Sequence, residues 1–207
     1  VVPSQVAFAE MFELPSDTFQ TDFTGGDLGT IRLLYYPGHL GQSADLNAPQ
    51  HSEMREGQGQ HGDESDTGIS AHTDFEVFTL MHQDATGLQF LLPESREWVD
   101  APVRQDAFVV IVGDILERFT NGALRATPHR VLPTPHARRS IIRFNALAPE
   151  ALIQPLPQFV TPENPAQYTP VTMRRHMETT LKNLKAGIGA WDSIRNISKT
   201  ATYVYSD

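Results

Sequence analysis

The stretch ISAHTDFEVFTLMHQDATGLQFL, residues 69–91, contains two His-x-Asp triplets ten residues apart, and a third lies shortly upstream. The three triplets are His61/Asp63, His72/Asp74 and His82/Asp84. In a chain of 207 residues with eight His, the number of His-x-Asp triplets expected by chance is roughly one half. One triplet alone is therefore weak evidence for a metal site. The surrounding sequence therefore has to distinguish among the three.

Two of the triplets lie in segments with the composition of β-strands, in which residues i and i+2 point to the same face. The upstream triplet lies within residues 41–68, which are rich in Gly, Gln, Ser and Asp and predict a long mobile loop. Such a loop does not hold two side chains in one orientation. His82 stands at the end of a predicted strand beside the QDATG turn, which favours a histidine without a metal. His72 and Asp74 are therefore the better candidates.

The composition is that of one globular domain, with 40% hydrophobic and 20% charged residues. A formal charge of −9 disfavours nucleic acid and anionic membrane surfaces as partners, so a small molecule is expected. The absence of cysteine excludes disulfides, thiolate metal sites and cysteine nucleophiles, and a cytoplasmic location is the default expectation. The longest apolar run, residues 107–112, is too short to span a bilayer.

Short runs rich in β-branched and aromatic residues, separated by turn residues, predict strands along most of the chain. They cover residues 30–38, 77–83, 87–93, 97–102, 106–114, 129–134 and 138–147. Even spacing of this kind is typical of an antiparallel sandwich or barrel. Helices are predicted only at residues 4–13 and in a C-terminal stretch that Pro170 would start and Gly187 would end. The opening residues have the pattern of a helix tail, which predicts further sequence upstream.

In one common kind of metal site, two imidazoles and one carboxylate bind one side of the metal and leave the opposite side open for other ligands. One strand can supply two of these ligands as His72 and Asp74. The third must come from a strand far along the chain, and His129 stands at the start of such a strand. Nine residues later, Arg138 and Ser140 share a strand face and offer a cation and a hydroxyl that can hold a carboxylate.

These residues and the sequence between them resemble the C-terminal half of the isopenicillin N synthase-like family of iron(II)/2-oxoglutarate oxygenases. The matching segments are His72-Thr-Asp74, FTLMHQDATGLQFL, WVDAPV, FVVIVGDILERFTNG, ATPHRV and Arg138-x-Ser140. They run in unbroken order over about residues 29–147. The resemblance implies a mainly β fold, a double-stranded β-helix or jelly roll with a few flanking helices. It divides the chain into residues 1–28, a remnant of a preceding helical region, 29–150, the catalytic core, and 151–207, a C-terminal strand and helix extension.

The resemblance also implies roles for individual residues. His72, Asp74 and His129 would bind iron(II), and Arg138 and Ser140 would bind the distal carboxylate of 2-oxoglutarate, with O2 as the other cosubstrate.

The strand TIRLLYYPG is similar to a family strand ending in Tyr-Pro, whose tyrosine often touches the 2-oxoacid. Tyr36 matches that tyrosine, although a core aromatic with a satisfied hydroxyl is an equal alternative. Leu34 stands where the family often has Asn, so one polar contact to the cosubstrate is missing or comes from elsewhere.

The activity implied is the oxidation of a C–H bond of a small organic substrate, by hydroxylation, desaturation or cyclisation, with release of succinate and CO2. A specialised metabolite is the family-level expectation, and the sequence leaves the substrate and the oligomeric state open. An alternative is an iron(II) oxidase of the same fold that does not use 2-oxoglutarate, with Arg138 and Ser140 holding the substrate's own carboxylate. A more remote alternative is a non-catalytic jelly-roll binding protein, which would have no need of these two residues beside a metal.

Overall fold

A computed structural model describes residues 2–19, 22, 26–38 and 69–185 of the chain. The predicted mobile loop at 41–68, with His61 and Asp63, lies outside the described residues, as does Gly187, and these expectations stay predictions. Within the described residues, no helix has both the length and the apolar composition needed to cross a membrane.

The described chain contains ten strands and three α-helices, with a short 3-10 helix at Pro157–Phe159. In chain order they are α1 (Val2–Met11), β1 (Thr30–Tyr36), β2 (Ile69–His72), β3 (Phe78–Gln83), β4 (Leu88–Leu91), β5 (Trp98–Asp100), β6 (Val109–Val112), α2 (Asp114–Phe119), β7 (His129–Val131), β8 (Arg138–Asn145), β9 (Leu152–Ile153), β10 (Val171–Thr172) and α3 (Met173–Lys185).

Eight of the strands form two four-stranded antiparallel sheets, ordered β1-β8-β3-β6 and β2-β7-β4-β5. Apart from the hairpin of β4 and β5, neighbouring strands come from distant parts of the sequence, because the chain passes back and forth between the two sheets. This interleaved order is that of a jelly roll. The prediction of a mainly β jelly roll with a few flanking helices is therefore confirmed.

The strands turn one face toward the space between the sheets, and their inward residues alternate with outward ones. On β8, Arg138, Ser140 and Ile142 are buried, whereas Arg139 and Ile141 are exposed. The apolar part of this interior consists of Met81, Leu88, Ala101, Ile111, Val131 and Ile142. Polar residues on the same inward face of β8 therefore open into a sheltered, partly apolar space.

A second core joins the helices to one end of the first sheet. It includes Phe12, which follows α1, Ile115 of α2 and Met173 of α3, packed with Phe78 and Leu147. Segments from both ends of the described chain thus share one core with the sheet. The three predicted chain divisions stay predictions.

The structure corrects two expectations about helices. The sequence predicts no helix between residues 13 and 170, but α2 forms at Asp114–Phe119, and Asn121 and Gly122 follow it with φ values of 49° and 84°. The C-terminal helix begins at Met173 and not at Pro170, because Val171 pairs with Ile153 in a two-stranded sheet.

Candidate active site

Two histidines and one aspartate converge at the edge of the second sheet. His72 ends β2 and is paired across the sheet with His129, the first residue of β7, and the ring centroids lie 4.3 Å apart. The Asp74 Oδ1 atom is 3.7 Å from Nε2 of His72 and 3.6 Å from Nε2 of His129. One ligand atom from each residue lies within 4.8 Å of the others, so the three groups can share one metal ion.

The expected position of Asp74 on a strand is wrong. β2 ends at His72, and Asp74 stands two residues later in the loop that leads to β3. Its orientation therefore depends on how the loop is held and not on strand alternation.

The tautomer of both imidazoles follows from their backbone contacts. Nδ1 of His72 lies 2.8 Å from the carbonyl oxygen of Ser70, and Nδ1 of His129 lies 3.0 Å from that of Thr127. A carbonyl oxygen can only accept, so each Nδ1 carries the hydrogen and donates it. Each Nε2 keeps a lone pair on the side of Asp74, which is the state that a metal ligand requires.

The electrostatics of the cluster also suit a cation. Burial lowers the pKa of His129, the charge on Asp74 opposes this change, and His72 adds to it, so His129 is neutral near pH 7. Asp74 is 3% exposed, and its Oδ2 atom is buried with no hydrogen-bond partner among the described residues. A buried carboxylate oxygen without a donor fits a metal ion, which would satisfy it.

The loop that carries Asp74 is fastened from two sides. The backbone N–H of Asp114, at the start of α2, donates to the carbonyl of Asp74 at 2.8 Å. From α3, Nε2 of His176 donates to the carbonyl of Phe75 at 2.9 Å. A Cβ on Gly113 would collide with the backbone of Glu76, so α2 approaches the loop closely only because residue 113 is glycine.

His176 belongs to no motif in the sequence, and its contact with the Phe75 carbonyl shows that it supports the loop. It is completely buried, and burial lowers its pKa to about 4, so the ring is neutral. In the same loop, burial and the neighbouring Asp74 raise the pKa of Glu76 to about 7, while Arg32 opposes the change.

The predicted carboxylate-binding residues lie on the facing sheet. Arg138 and Ser140 are 1% and 3% exposed, and they pair across β1 with Tyr36 and Leu34. Nε and Nη1 of Arg138 and Oγ of Ser140 are buried without a hydrogen-bond partner among the described residues. These three donors fit the carboxylate of a ligand, because each would otherwise lose its hydrogen bond to water.

Tyr36 stands beside this cation. The guanidinium carbon of Arg138 is 5.2 Å from the centroid of the Tyr36 ring. Burial raises the pKa of Tyr36, and Arg138 opposes that change, so the hydroxyl stays protonated near pH 7. Leu34 presents an apolar side chain to the pocket where the family often has Asn.

One pocket joins the histidine cluster to the buried cation. Its empty volume is about 510 Å³, which includes space open to solvent. The lining residues are Arg32, Leu34, Tyr36, Ile69, His72, Asp74, Met81, His129, Val131, Arg138, Ser140, Ile142 and Phe144. All six residues singled out from the sequence are among them.

The other described triplet lies away from this pocket. Nε2 of His82 contacts the carbonyl of Gln105 at 3.1 Å, and its ring packs edge-on against Phe108. Asp84 accepts hydrogen bonds from the backbone and side chain of Arg139. His82 therefore has the strand-end position predicted for it.

The chain matches the 2OG-Fe(II) oxygenase superfamily over residues 29–146, which is more than half of its length. It belongs to this superfamily. Curated relatives include a codeine O-demethylase of Papaver somniferum, 38% identical over 104 residues, which cover 49% of this chain and 28% of that protein. A 2-oxoglutarate-Fe(II) type oxidoreductase of Emericella nidulans is 31% identical over 159 residues, 76% of this chain and 40% of that one. A 1-aminocyclopropane-1-carboxylate oxidase of Dendrobium crumenatum is 40% identical over 99 residues, 46% of this chain and 30% of that one.

Solved structures of similar proteins share the fold. A full-length Neurospora crassa protein in complex with alpha-KG and thymine has a TM-score of 0.71 and 24% identity, covering 90% of this chain and 52% of that one. A putative 2OG-Fe(II) oxygenase family protein from Caulobacter crescentus has a TM-score of 0.65 and 28% identity, covering 86% and 52%. The matches thus span 28% to 40% of the three curated relatives named above and about half of these solved chains.

Proposed function

We propose that this chain is the catalytic portion of a non-haem iron(II)- and 2-oxoglutarate-dependent dioxygenase. It would oxidise a C–H bond of a small organic substrate, by hydroxylation, desaturation or cyclisation. One observation carries the proposal: a cluster of three metal-ligating groups and a set of buried, unpartnered donors line the same pocket. Membership of the superfamily supports the same assignment.

The proposed iron ligands are His72, Asp74 and His129. Their two Nε2 atoms and one carboxylate leave the pocket side of the cluster for other ligands. When bound, iron(II) with 2-oxoglutarate and O2 supplies an oxidant for unactivated C–H bonds and releases succinate and CO2. Asp74 contributes a single negative charge, so a ferrous centre keeps net positive charge, which suits a dianionic cosubstrate.

Arg138 and Ser140 are the proposed binding residues for the distal carboxylate, with the hydroxyl of Tyr36 beside them. A carboxylate there accepts hydrogen bonds from donors that otherwise have no partner among the described residues. Between the two polar regions, Met81 and Ile142 give the pocket an apolar wall. Such a wall limits water in the site, which protects a reactive centre from side reactions.

A second candidate keeps the iron but not 2-oxoglutarate. In it, Arg138 and Ser140 hold the carboxylate of the substrate itself. Leu34 favours this candidate, because it removes a polar contact to the cosubstrate that the family often has.

One experiment separates the two candidates. Iron(II) and 2-oxoglutarate are added to the anaerobic protein, the visible absorption of the chelate is recorded, and succinate is assayed with candidate substrates after oxygen is admitted. The proposal predicts a chelate band and release of succinate in step with product. Absence of both, with an active substrate in hand, would favour the oxidase.

Substitution of Arg138 tests the assignment of the carboxylate site. Arg138→Ala should raise the required concentration of 2-oxoglutarate by about 30- to 1,000-fold, because it removes a charge-assisted contact in a buried site. Arg138→Lys should recover only part of the loss, since a point charge does not reproduce the planar guanidinium. Arg139→Ala is the matched control, because that side chain is exposed on the opposite face of β8 and pairs with Asp84.

The substrate is proposed to be a small organic molecule of specialised metabolism. Two of the similar solved structures hold thymine or 5-formyluracil. These ligands support only the proposal that the substrate of this chain is a small molecule. The absence of a nucleic-acid or membrane partner and a cytoplasmic location stay predictions.

A further inference from the structure

The buried cation of the carboxylate site donates a hydrogen bond to a side-chain amide, that of Gln83. Oε1 of Gln83 accepts from Nη2 of Arg138 at 2.9 Å, and the Sδ atom of Met81 lies 3.9 Å from the same nitrogen. Gln83 is the last residue of β3, is 2% exposed, and stands behind Arg138, outside the set of pocket-lining side chains. It touches the cation and not the space for ligands.

The amide of Gln83 is itself fixed in orientation. Its Nε2 lies 3.4 Å from the carbonyl oxygen of Ala101, which follows β5 on the neighbouring sheet. That oxygen accepts only, so the amino group must face Ala101 and the oxygen must face Arg138. Gln83 therefore ties the guanidinium to the backbone of the opposite sheet.

The acceptor is neutral, and this has an electrostatic consequence. Among the described residues, Arg138 forms no salt bridge. The carboxylate that acts on its charge, that of Asp84, is exposed and is paired with Arg139. The guanidinium thus contacts the amide of Gln83 and the phenol of Tyr36 without being neutralised, and Nε and Nη1 have no hydrogen-bond partner among the described residues.

We infer that Gln83 is a positioning residue that aims Arg138 and, by its neutrality, makes the pocket prefer a 2-oxoacid with a second, distal carboxylate. This inference rests on the proposed function, in which Arg138 grips that carboxylate. A glutamate at the same position would accept the same hydrogen bond but would cancel the charge that the ligand has to meet.

A second Gln–Arg pair in the chain provides a matched control. Oε1 of Gln89 accepts from Nε of Arg130 at 2.9 Å, and Nε2 of Gln89 donates to Asp100 at 2.9 Å. The hydrogen-bond type is the same, but neither residue of this pair lines the pocket. Gln89→Glu therefore makes the same substitution outside the pocket, and there it also places the new carboxylate beside Asp100.

The test measures binding and not turnover. The iron(II)-loaded protein is titrated anaerobically with 2-oxoglutarate and, separately, with 2-oxopentanoate, which has a methyl group in place of the distal carboxylate. Dissociation constants come from the chelate absorption, and the thermal shift produced by each acid is the second readout. The measured quantity is the ratio of the two constants for wild type, Gln83→Glu, Gln83→Met, Gln89→Glu and Arg138→Ala.

Gln83→Glu should raise the dissociation constant of 2-oxoglutarate by about 10- to 100-fold and change that of 2-oxopentanoate by less than about 3-fold. The discrimination between the two acids is then largely lost. Gln83→Met removes the hydrogen-bond acceptor without adding a negative charge beside Arg138. It should raise the dissociation constant of 2-oxoglutarate by a smaller factor and keep the preference for 2-oxoglutarate over 2-oxopentanoate. Gln89→Glu should match wild type. Loosened packing alone would not make the dissociation constant of 2-oxoglutarate higher in the glutamate variant than in the methionine variant.

The failures of the inference and of the proposed function differ. Suppose that Arg138→Ala raises the dissociation constant of 2-oxoglutarate but Gln83→Glu leaves the ratio of the 2-oxoglutarate and 2-oxopentanoate constants unchanged. The inference is then wrong and the proposed function stands. If Arg138→Ala leaves 2-oxoglutarate binding unchanged, the proposed role of Arg138 is wrong and the inference falls with it. Should Gln83→Glu not fold, an unchanged constant for Gln83→Met would overturn the inference.

Discussion

Replacing His176 by glutamine should change the pH dependence of stability in a calculable way. The imidazole donates from Nε2 to the carbonyl of Phe75, next to the proposed ligand Asp74, and burial lowers its pKa from 6.5 to about 4. A glutamine amide can make the same hydrogen bond but does not titrate. The substitution therefore removes a titration while retaining the donor.

The sign follows from which state binds the proton. Between pH 6.5 and pH 4 the unfolded chain protonates His176 and the folded chain does not, so this contribution to stability is complete above pH 6.5 and is lost as the pH falls. From pH 7 to pH 5 the loss amounts to about 2 kcal/mol. Glu76 acts in the opposite sense: with its pKa raised to about 7, the folded state keeps a proton that the unfolded chain releases above pH 4.5, so its contribution to stability falls as the pH rises from 4.5 to 7.

Because the two groups oppose each other, the informative quantity is the difference between wild type and His176→Gln. Urea unfolding of the metal-free proteins at pH 7, 6 and 5 should show wild type losing about 2 kcal/mol more than the variant. His136→Gln is the control for the substitution itself, since that histidine is exposed. Parallel profiles for wild type and His176→Gln would refute the reasoning.

Two further predictions concern the metal and the turn after α2. Asp74→Ala should abolish iron binding, measured as metal content after dialysis, because it removes the carboxylate that lies beside Nε2 of both His72 and His129. His82→Ala should keep its iron. Loss of iron from His82→Ala with retention in His72→Ala would contradict this choice of ligands. Asn121→Ala should lower the free energy of unfolding by about 3 kcal/mol, since this buried amide bonds to four backbone groups between residues 159 and 167; a loss below about 1 kcal/mol in urea titrations would show that those bonds matter little.

The sequence predicts the jelly roll, because this fold depends on local period and motif order, and it predicts six residues that line one pocket, while their roles stay predictions. His72 and His129 meet since each lies on a strand and the two strands pair. The motif match also placed Arg138 and Ser140 in the same pocket. These are the parts for which spacing along the chain and position in the fold are closely linked.

The supports of the site were not predictable in this way. His176 contacts a carbonyl 101 residues away in sequence, and nothing in the pattern of α3 distinguishes it from a packing residue. Asp74 lies beyond the end of its strand, held by the first residue of α2, a helix of six residues that is too short to show a period. Gln83 is the middle residue of the discounted triplet His82/Asp84, and its contact with Arg138, 55 residues later in the chain, is visible only in the fold.

Both imidazoles at the proposed iron site take their tautomer from a main-chain oxygen two residues earlier, at Ser70 and Thr127. A main-chain oxygen is present whatever amino acid occupies the position. Evolution can therefore vary the side chains at 70 and 127 without altering which ring nitrogen is free, as long as the backbone path is preserved. Substitutions at positions 70 and 127 therefore leave the proton placement on the histidines unchanged, whereas the hydrogen bond from Arg138 to Oε1 of Gln83 is lost with the Gln83 side chain.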